Sequence, residues 1–236
     1  MAGKSSVEQI RARFDGDVER FSNLETGQSA TMDAPLSLEL IAAAAAAATP
    51  GAARVLDIGC GAGNYTLKLL EHVGGLDAML VDLSRPMLDR ALERVGAATT
   101  GEVLAVQGDV RELELGQGEF DVILAAAIFH HLRTDEEWLD VFARCRRALR
   151  PGGGLWISDL ISHDESSVQA LMWERYGRYL EELRGREYRD EVFAYIEQED
   201  TPRSLTFQIE LLRKVGFSKV DVLHKNGCFA AFGALV

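Results

Sequence analysis

Three glycines at alternate positions constrain the fold of this chain more than any other feature of its sequence. Gly59, Gly61 and Gly63 follow a short apolar run at 55–58, and a helical pattern begins at about Tyr65. Glycine allows a tight turn and lets the backbone approach a ligand without a Cβ in the way. The helix that follows presents free N–H groups and the positive end of its dipole. The segment therefore predicts a strand, a ligand-binding loop and a helix.

The spacing of these glycines discriminates between nucleotide ligands. A dinucleotide-binding loop has the pattern G-x-G-x-x-G or G-x-G-x-x-A, and Asn64 occupies its last position when the count begins at Gly59. The phosphate-binding pattern G-x-x-x-x-G-K-[ST] is absent from the sequence. Asp57 is poorly placed for a pyrophosphate but well placed for a ligand with an ammonium or sulfonium charge. These features disfavour an NAD-dependent oxidoreductase and a nucleoside triphosphatase.

Short apolar runs alternate with helical patterns from residue 54 onward, as expected for strands that are buried on both faces. The alternation predicts an α/β fold with a doubly wound, mostly parallel sheet and right-handed crossovers. Asn226-Gly227 lies between two further apolar runs and predicts a hairpin, so the last of seven strands is antiparallel. The predicted strands are 54–58, 78–82, 103–106, 120–125, 154–159, 219–224 and 228–235.

A length of 236 residues suits a single large domain. We expect residues 1–50 to form a helical cap with a polar loop from Glu25 to Asp33, and residues 51–160 to form the ligand-binding core. Residues 161–203 are predicted to be a helical substrate lid, and 204–236 a final helix and hairpin. One helical face of the lid is predicted to contribute at least one residue to a pocket. Its members are Trp173, Tyr176, Tyr179, Leu180 and Leu183.

Charge and composition limit the partners. The net charge of −12 makes nucleic acid an unlikely main partner, because an acidic surface repels phosphates. The most apolar run, 41–48, is too short to span a bilayer, and the first residues lack the apolar core of a signal peptide. Three widely separated cysteines fit a reducing compartment. We therefore expect a cytoplasmic protein with a small-molecule substrate and no membrane partner, either a monomer or a homodimer.

The motifs, taken in order, resemble those of the class I S-adenosylmethionine-dependent methyltransferases. VLDIGCGAGNYT is similar to the first motif of that family, VDLS to the second, GDV to the third, FDVILAAAIFHHL to the fourth and LRPGGGLWISD to the fifth. The resemblance covers about residues 50–160, and the reversed final strand also matches the family's Rossmann-like fold. It implies S-adenosyl-L-methionine as cofactor, S-adenosyl-L-homocysteine as product, and an in-line methyl transfer that depends mainly on positioning.

The resemblance also implies which positions contact the cofactor. Asp82 has independent support, because it ends a predicted strand where doubly wound folds place an acid against ribose hydroxyls. The implied contacts are Asp57, Gly59, Gly61 and Gly63 at the methionine group, Asp82 at the ribose, Leu83, Asp109 and Val110 at the adenine, and Ala125 and Ala126 beneath the sulfonium. The segment around Phe14, Phe21 and Met32 is expected to fold over the site.

The catalytic candidates follow the fourth strand, at the edge where the transferred methyl group is expected. His130 and His131 are candidates for a general base, although adjacent residues of a regular element cannot both face the site. They could instead start or cap a helix. His163 and Asp164 are lesser candidates. Since no His, Cys or carboxylate cluster has metal-ligand spacing in the sequence, no metal is expected.

Two other functions remain open. Phe14 to Phe21, the helical region 164–200 and the C-terminal RKVGF…CFAAFGALV are similar to carboxy-S-adenosylmethionine synthase, an enzyme of tRNA modification. That family holds an extra carboxylate with an arginine, for which Arg189 and Arg203 are candidates, but Gly61 departs from its usual serine. A non-catalytic cofactor-binding protein is the other alternative. The motif Asn/Asp-Pro-Pro-Tyr/Phe is absent, which argues against base amines or glutamine as acceptors, while O, N, S and C remain possible accepting atoms.

Overall fold

The computed structural model describes residues 4–23 and 27–236, and its centre is one seven-stranded sheet with the order β3-β2-β1-β4-β5-β7-β6. All neighbouring strands are parallel except that β7 runs antiparallel to both β5 and β6. The fold is therefore the predicted α/β architecture with a reversed last strand. The strands are β1 Arg54–Ile58, β2 Asp77–Asp82, β3 Val103–Gln107, β4 Phe120–Ala126, β5 Leu149–Leu160, β6 Lys219–Asn226 and β7 Phe229–Leu235.

Helices cover the sheet, and several of them begin at a residue whose side chain caps the helix. Ser84, Thr134 and Ser204 each accept a hydrogen bond from a backbone N–H in the first helical turn, which satisfies a donor that has no partner within the helix. The helices are α1 Val7–Gly16, α2 Val18–Ser22, α3 Ala34–Ala48, α4 Asn64–Leu70, α5 Arg85–Ala98, α6 Asp135–Ala148, α7 Ser166–Arg184, α8 Arg186–Glu199 and α9 Leu205–Lys214. A single 3₁₀ turn spans Phe129–His131.

Two hydrophobic cores lie on opposite faces of the sheet. Leu56 and Ile123 belong to the core beneath α6 and α9, whereas their neighbours Val55 and Leu124 belong to the core beneath α3, α4 and α5. Successive strand residues point to opposite faces, so each central strand contributes to both cores. This burial on both faces explains why the strands appear in the sequence as continuous apolar runs.

The structure differs from the predicted elements at several boundaries. β5 begins at Leu149 rather than at Gly154, and its pairing with β4 shifts register between Phe120 and Val122. The predicted hairpin is present, but its turn is Gly227–Cys228, because Asn226 already pairs with Phe229. The first residues of the predicted polar loop, including Glu25, lie outside the described residues.

The cap and the lid dock on each other. Of residues 1–50, which were predicted to form the cap, α3 packs in a core of the sheet, so we keep the name cap for residues 4–23. The cap contacts the end of α8, where the Ser5 N–H donates to the Gln198 carbonyl and Arg13 pairs with Glu199. The lid, helices α7 and α8, packs on the sheet through Tyr176, which makes an edge contact with Phe229. None of the helices in residues 4–23 and 27–236 is both long and apolar enough to cross a bilayer.

Candidate active site

A cavity of about 430 Å³ lies where the C-terminal ends of the parallel strands meet the cap and the lid. Its walls come from the glycine loop, the ends of β2 to β5, helices α1 and α2, and helices α7 and α8. Ligands of doubly wound folds bind at this edge of the sheet. Most of the predicted site residues line it, namely Asp57, Gly59, Gly61, Asp82, Leu83, Asp109, Val110, Ala126, His130 and His131.

The carboxylate of Asp82 fixes the glycine loop to the end of β2. Its Oδ2 accepts a hydrogen bond of 2.9 Å from the Gly61 N–H, and its Oδ1 accepts one of 2.9 Å from the Ser84 N–H. Burial raises the pKa of Asp82, although these backbone hydrogen bonds act to lower it. Each oxygen has a second lone pair, so the carboxylate can still accept from a ligand hydroxyl.

Two positions of the loop require glycine for different structural reasons. Gly61 has φ +51°, and a Cβ added there would meet no atom within 4 Å, so the residue leaves open space on the cavity side. Gly63 has φ +83°, and its Cβ would lie 2.9 Å from Val95 Cγ2 in α5. Gly63 was predicted to contact the cofactor, but the structure places it against α5 and not among the residues that line the cavity.

Asp57 lies beneath the loop and is 1% exposed. Its Oδ2 accepts a hydrogen bond of 2.7 Å from the Thr66 hydroxyl. Burial raises the pKa of Asp57 to about 7, and the hydrogen bonds with Thr66 offset only part of this rise. A cationic group in the cavity would favour the charged form of this carboxylate.

The end of the cavity that follows β2 and β3 combines apolar and acidic groups. Leu83 and Val110 line it, and the Gln107 side chain donates a hydrogen bond of 2.9 Å to the Leu83 carbonyl. Asp109 accepts hydrogen bonds from the backbone and side chain of Arg111. Although burial acts to raise the pKa of Asp109, its hydrogen bonds with Arg111 hold that pKa below the usual value.

The chain turns sharply after β4. Ala126 lines the cavity, whereas Ala125 is 1% exposed and packs in the core on the other face of the strand. Both alanines were predicted to form the cavity floor, but only Ala126 lies at the cavity, because neighbouring strand residues alternate between faces. Ala127 has φ +52°, which is unusual for a residue with a Cβ, and its N–H donates to the Ser158 carbonyl at 2.8 Å.

His130 and His131 both line the cavity, next to two buried aspartates. We call His130, His131, Asp159 and Asp200 the histidine cluster. His130 Nδ1 is hydrogen-bonded to Asp159 Oδ1, and its Nε2 lies 3.7 Å from Asp200 Oδ1. His131 Nδ1 lies 3.3 Å from the same oxygen. Both histidines can face the cavity because the segment is a single 3₁₀ turn rather than a regular helix or strand.

The two imidazoles of the cluster have opposite pKa shifts. Burial alone would lower the pKa of His130, but the carboxylates of Asp159 and Asp200 outweigh it and raise that pKa to about 9. Burial and the adjacent His130 lower the pKa of His131. The surroundings therefore favour the protonated form of His130 and the neutral form of His131.

Sequence reasoning missed Asp159 as a site residue, and it also missed Asp200. Asp159 is the penultimate residue of β5 and lies at the same edge as the other strand-end residues, so its position could have indicated a role in the site. Asp200 follows the last residue of α8, and its place beside His131 depends on how the lid folds back, for which the sequence has no signal. The lesser candidates His163 and Asp164 line a separate surface pocket, not this cavity.

An aromatic wall, with residues from the cap, the lid and the start of β7, lines the cavity. Of the predicted lid face only Tyr176 lines the cavity, whereas Trp173 stacks on Phe193 with ring centroids 4.7 Å apart, and Leu183 is exposed. Met32 packs on the aromatic side chains of the lid rather than on the cavity. The wall consists of Phe14, Phe21, Tyr176, Tyr188, Tyr195 and Phe229.

Comparison with known proteins agrees with this geometry. A family model described as a methyltransferase domain matches residues 55–153, which run from the first strand of the site to the start of β5. The core of this chain is therefore similar to a methyltransferase domain over residues 55–153. An uncharacterized methyltransferase of Geobacillus sp. is 34% identical over 137 residues, which are 57% of this chain and 61% of that protein. The match thus spans less than two thirds of that methyltransferase.

Two further similar proteins have names that specify different activities. A carboxy-S-adenosyl-L-methionine synthase of Shewanella sp. is 28% identical over 189 residues, which cover 77% of this chain and 75% of the synthase. The crystal structure of 1,6-didemethyltoxoflavin-N1-methyltransferase from Burkholderia thailandensis superposes with a TM-score of 0.62 at 21% identity. That superposition covers 100% of this chain and 92% of the other, and at this identity it shows a shared methyltransferase fold.

The residues present fit S-adenosylmethionine, the cofactor that the resemblance implies. A buried carboxylate at Asp57 suits an ammonium group, and the open space beside Gly61 allows close backbone approach. Asp82 has acceptor capacity for a ribose diol, and Leu83 with Val110 offers apolar surface to a purine. All of these groups line the same cavity.

Proposed function

We propose that this chain transfers a methyl group from S-adenosylmethionine to a small-molecule acceptor. The observation that carries the proposal is the continuity of the cavity, which joins Asp57, Gly61 and Asp82 to the histidine cluster and the aromatic wall. Its volume of about 430 Å³ falls in the range of small-molecule sites. The cofactor would occupy the glycine-loop half, and the acceptor would occupy the half between the cap and the lid.

The cofactor-binding residues proposed are those that combine a matching motif position with a place on the cavity wall. Gly63 and Ala125 would support the site only through packing, since neither lines the cavity. The proposed contacts are Asp57, Gly59 and Gly61 at the methionine group, Asp82 at the ribose, Leu83, Asp109 and Val110 at the adenine, and Ala126 near the sulfonium.

The protein itself would contribute to catalysis mainly by positioning the reactants and by excluding water. When bound, S-adenosylmethionine supplies an electrophilic methyl group on a sulfonium. Phe14 and Phe21 cover the cavity from the cap and would keep water from the reacting atoms. His130 is held in place by Asp159, and with His131 it would contact the accepting atom and align it with the methyl group. The two histidines are therefore the proposed catalytic residues.

One observation favours a methyltransferase over a carboxylating synthase. Arg189 pairs with Glu181 and Asp190, and Arg203 pairs with Asp135, and neither arginine lines the cavity. The two candidates for an arginine that holds an extra carboxylate are thus already paired with carboxylates of the protein outside the cavity. The similarity to the Shewanella synthase keeps that activity as the second candidate.

A cytoplasmic location is supported by the three cysteines, all of which are free and buried.

The first test is mass spectrometry of the small molecules released from freshly purified protein. S-Adenosylmethionine or S-adenosylhomocysteine is the expected finding, and a carboxylated derivative would move the assignment to the synthase. Calorimetric titration should then show S-adenosylhomocysteine binding to the wild type and much weaker binding to Asp82→Asn. Transfer of a labelled methyl group to members of a panel of hydroxylated and amine-bearing aromatic compounds would identify the acceptor. Bound NAD, with no affinity for adenosyl-sulfur compounds, would refute the proposal.

A further inference from the structure

Two buried polar atoms of the histidine cluster lack hydrogen-bond partners among the described residues. They are His131 Nδ1 and Asp200 Oδ1. The Asp200 side chain is 2% exposed, and that of His131 is 12% exposed. The two atoms lie 3.3 Å apart, yet they do not form a hydrogen bond with each other. Because an unsatisfied buried polar atom is costly, this arrangement calls for a further occupant of the cluster.

The spacing of the cluster fits one shared cation. His130 Nε2 lies 3.7 Å from Asp200 Oδ1, and the ligand atoms of His130, His131 and Asp200 all lie within 4.8 Å of one another. Nitrogen and oxygen ligands bind Zn²⁺ at about 2.0–2.1 Å in tetrahedral geometry, which separates neighbouring ligand atoms by about 3.4 Å. The separations of 3.3 and 3.7 Å therefore match those of ligands that surround one ion.

The surroundings of His130 match those of a metal ligand. Metal-binding histidines commonly donate their other ring N–H to a carboxylate, which fixes the tautomer and the ring orientation. His130 Nδ1 is hydrogen-bonded to Asp159, and Asp159 Oδ2 is itself held by the N–H groups of Phe129 and His130 at 2.9 and 3.2 Å. This arrangement directs His130 Nε2 toward Asp200 and His131.

We propose that His130, His131 and Asp200 bind a divalent transition-metal ion of the Zn²⁺ type, with one coordination position open to the cavity. Two histidines and one carboxylate with an open position form a recurrent catalytic metal set. No metal was expected, since no cluster in the sequence has metal-ligand spacing; Asp200 joins the two histidines only through the fold of the lid. The open position suits an acceptor hydroxyl, whose pKa the metal would lower. This last assignment rests on the proposed methyl transfer, whereas the metal site itself does not.

Untagged protein stripped with a chelator and titrated with Zn²⁺ in a calorimeter tests the site directly. One tightly bound Zn²⁺ per chain is expected, together with a rise in Tm that depends on Zn²⁺ concentration. Co²⁺ should give the visible absorption of a nitrogen- and oxygen-ligated tetrahedral site. Mg²⁺ should bind far more weakly, since it prefers all-oxygen octahedral sites. A stoichiometry well below one Zn²⁺ per chain would overturn the proposal.

Variants make the result specific to the cluster. Asp200→Ala and His131→Ala should each weaken Zn²⁺ binding by at least about 100-fold, and Asp159→Asn by about 10- to 100-fold, because it only orients a ligand. His163→Ala, outside the cavity, is the matched control and should bind Zn²⁺ like the wild type. Binding of S-adenosylhomocysteine to each metal-free variant reports that the fold is intact. Unchanged Zn²⁺ affinity in Asp200→Ala would refute the site, while cofactor binding to the metal-free wild type would leave the proposed function standing.

Discussion

The hydroxyl of Thr66 donates a hydrogen bond of 2.7 Å to the carboxylate of Asp57, beneath the glycine loop. This donor does not offset the burial of the carboxylate, so the pKa of Asp57 is raised to about 7. The group is therefore partly protonated at neutral pH before any ligand binds. Both the stability of the fold and the affinity for a cationic ligand should depend on this protonation.

The free energy of unfolding should fall as the pH rises through this range. A carboxyl group with a raised pKa holds a proton in the folded chain that the unfolded chain has already released above pH about 4. Stability then decreases with pH, by up to about 1.4 kcal/mol per pH unit, until the folded-state pKa of about 7 is passed. Urea unfolding between pH 4.5 and 7.5 should show this contribution as the difference between the wild type and Asp57→Asn. Parallel pH profiles of the two proteins would contradict it.

Cofactor affinity should change with pH in the opposite direction. The ammonium group of S-adenosylmethionine is attracted to the charged form of Asp57, so binding should tighten as the pH rises from 6 toward 7.5. The change should approach tenfold per pH unit below the pKa of Asp57, which is about 7. In calorimetric titrations Asp57→Asn should bind more weakly and lose most of this pH dependence. An Asn variant with the wild-type pH profile would assign the titration to another group.

Substitution of two glycines of the loop should separate binding from folding. Gly61→Ala places a methyl group where no atom lies within 4 Å, so its main effect should be to weaken cofactor binding by about tenfold or more, beside roughly 1–2 kcal/mol of backbone strain. Gly63→Ala puts the methyl group 2.9 Å from Val95 Cγ2 and should reduce stability by about 2–4 kcal/mol. Thermal unfolding and calorimetric titration of both variants test this contrast. The idea fails if Gly63→Ala is as stable as Gly61→Ala.

The ion pair between Arg13 and Glu199 should stabilise the contact between cap and lid. The Glu199 side chain is fully buried, while that of Arg13 is 36% exposed and its guanidinium lies 4.4 Å from the centroid of the Tyr195 ring. Arg13→Ala would leave a buried carboxylate unpaired and should cost about 2–3 kcal/mol, below the full cost of breaking a buried pair because Arg13 is partly solvated. The double variant Arg13→Met/Glu199→Leu should recover most of this loss in urea unfolding. Equal stability of Arg13→Ala and the wild type would show that the pair contributes nothing.

The sequence predicted the parts of this fold that depend on local pattern. Apolar runs buried on both faces identified the parallel strands, and Asn226-Gly227 identified the hairpin, whose turn proved to lie one residue later. Because parallel strands bring their C-terminal ends to one edge, Asp57, Asp82 and Asp109 were expected to meet there, and they do. The errors at Ala125 and Gly63 concern the face on which a residue lies, which strand alternation and helix packing decide.

Contacts between distant segments could not be predicted in the same way. Asp200 reaches His131 only because α7 and α8 fold back over the strand ends, and Glu199 meets Arg13 only because the cap docks on the end of α8. Neither partner carries a local sequence signal. The cap, the lid and the histidine cluster are therefore the parts of the site for which the structure adds most.

Asn64 should control how firmly the cap is attached to the core. Its Nδ2 donates a hydrogen bond of 2.9 Å to the Phe21 carbonyl, and its Oδ1 accepts one of 2.8 Å from Arg94. Asn64→Asp keeps the acceptor for Arg94 but replaces the donor with an oxygen that repels the Phe21 carbonyl. Since a lost or unsatisfied hydrogen bond costs about 1–3 kcal/mol, amide exchange in α1 and α2 should accelerate by about 5- to 150-fold.

Hydrogen-exchange mass spectrometry measures this effect segment by segment. Peptides of β1, β4 and β5 serve as internal controls and should keep wild-type protection in Asn64→Asp, because the sheet does not depend on the cap. Faster dissociation of S-adenosylhomocysteine should accompany the loosened cap, since Phe14 and Phe21 cover the cavity. Wild-type protection of α1 and α2 in Asn64→Asp would show that other contacts, such as the pair Arg13–Glu199, suffice to hold the cap in place.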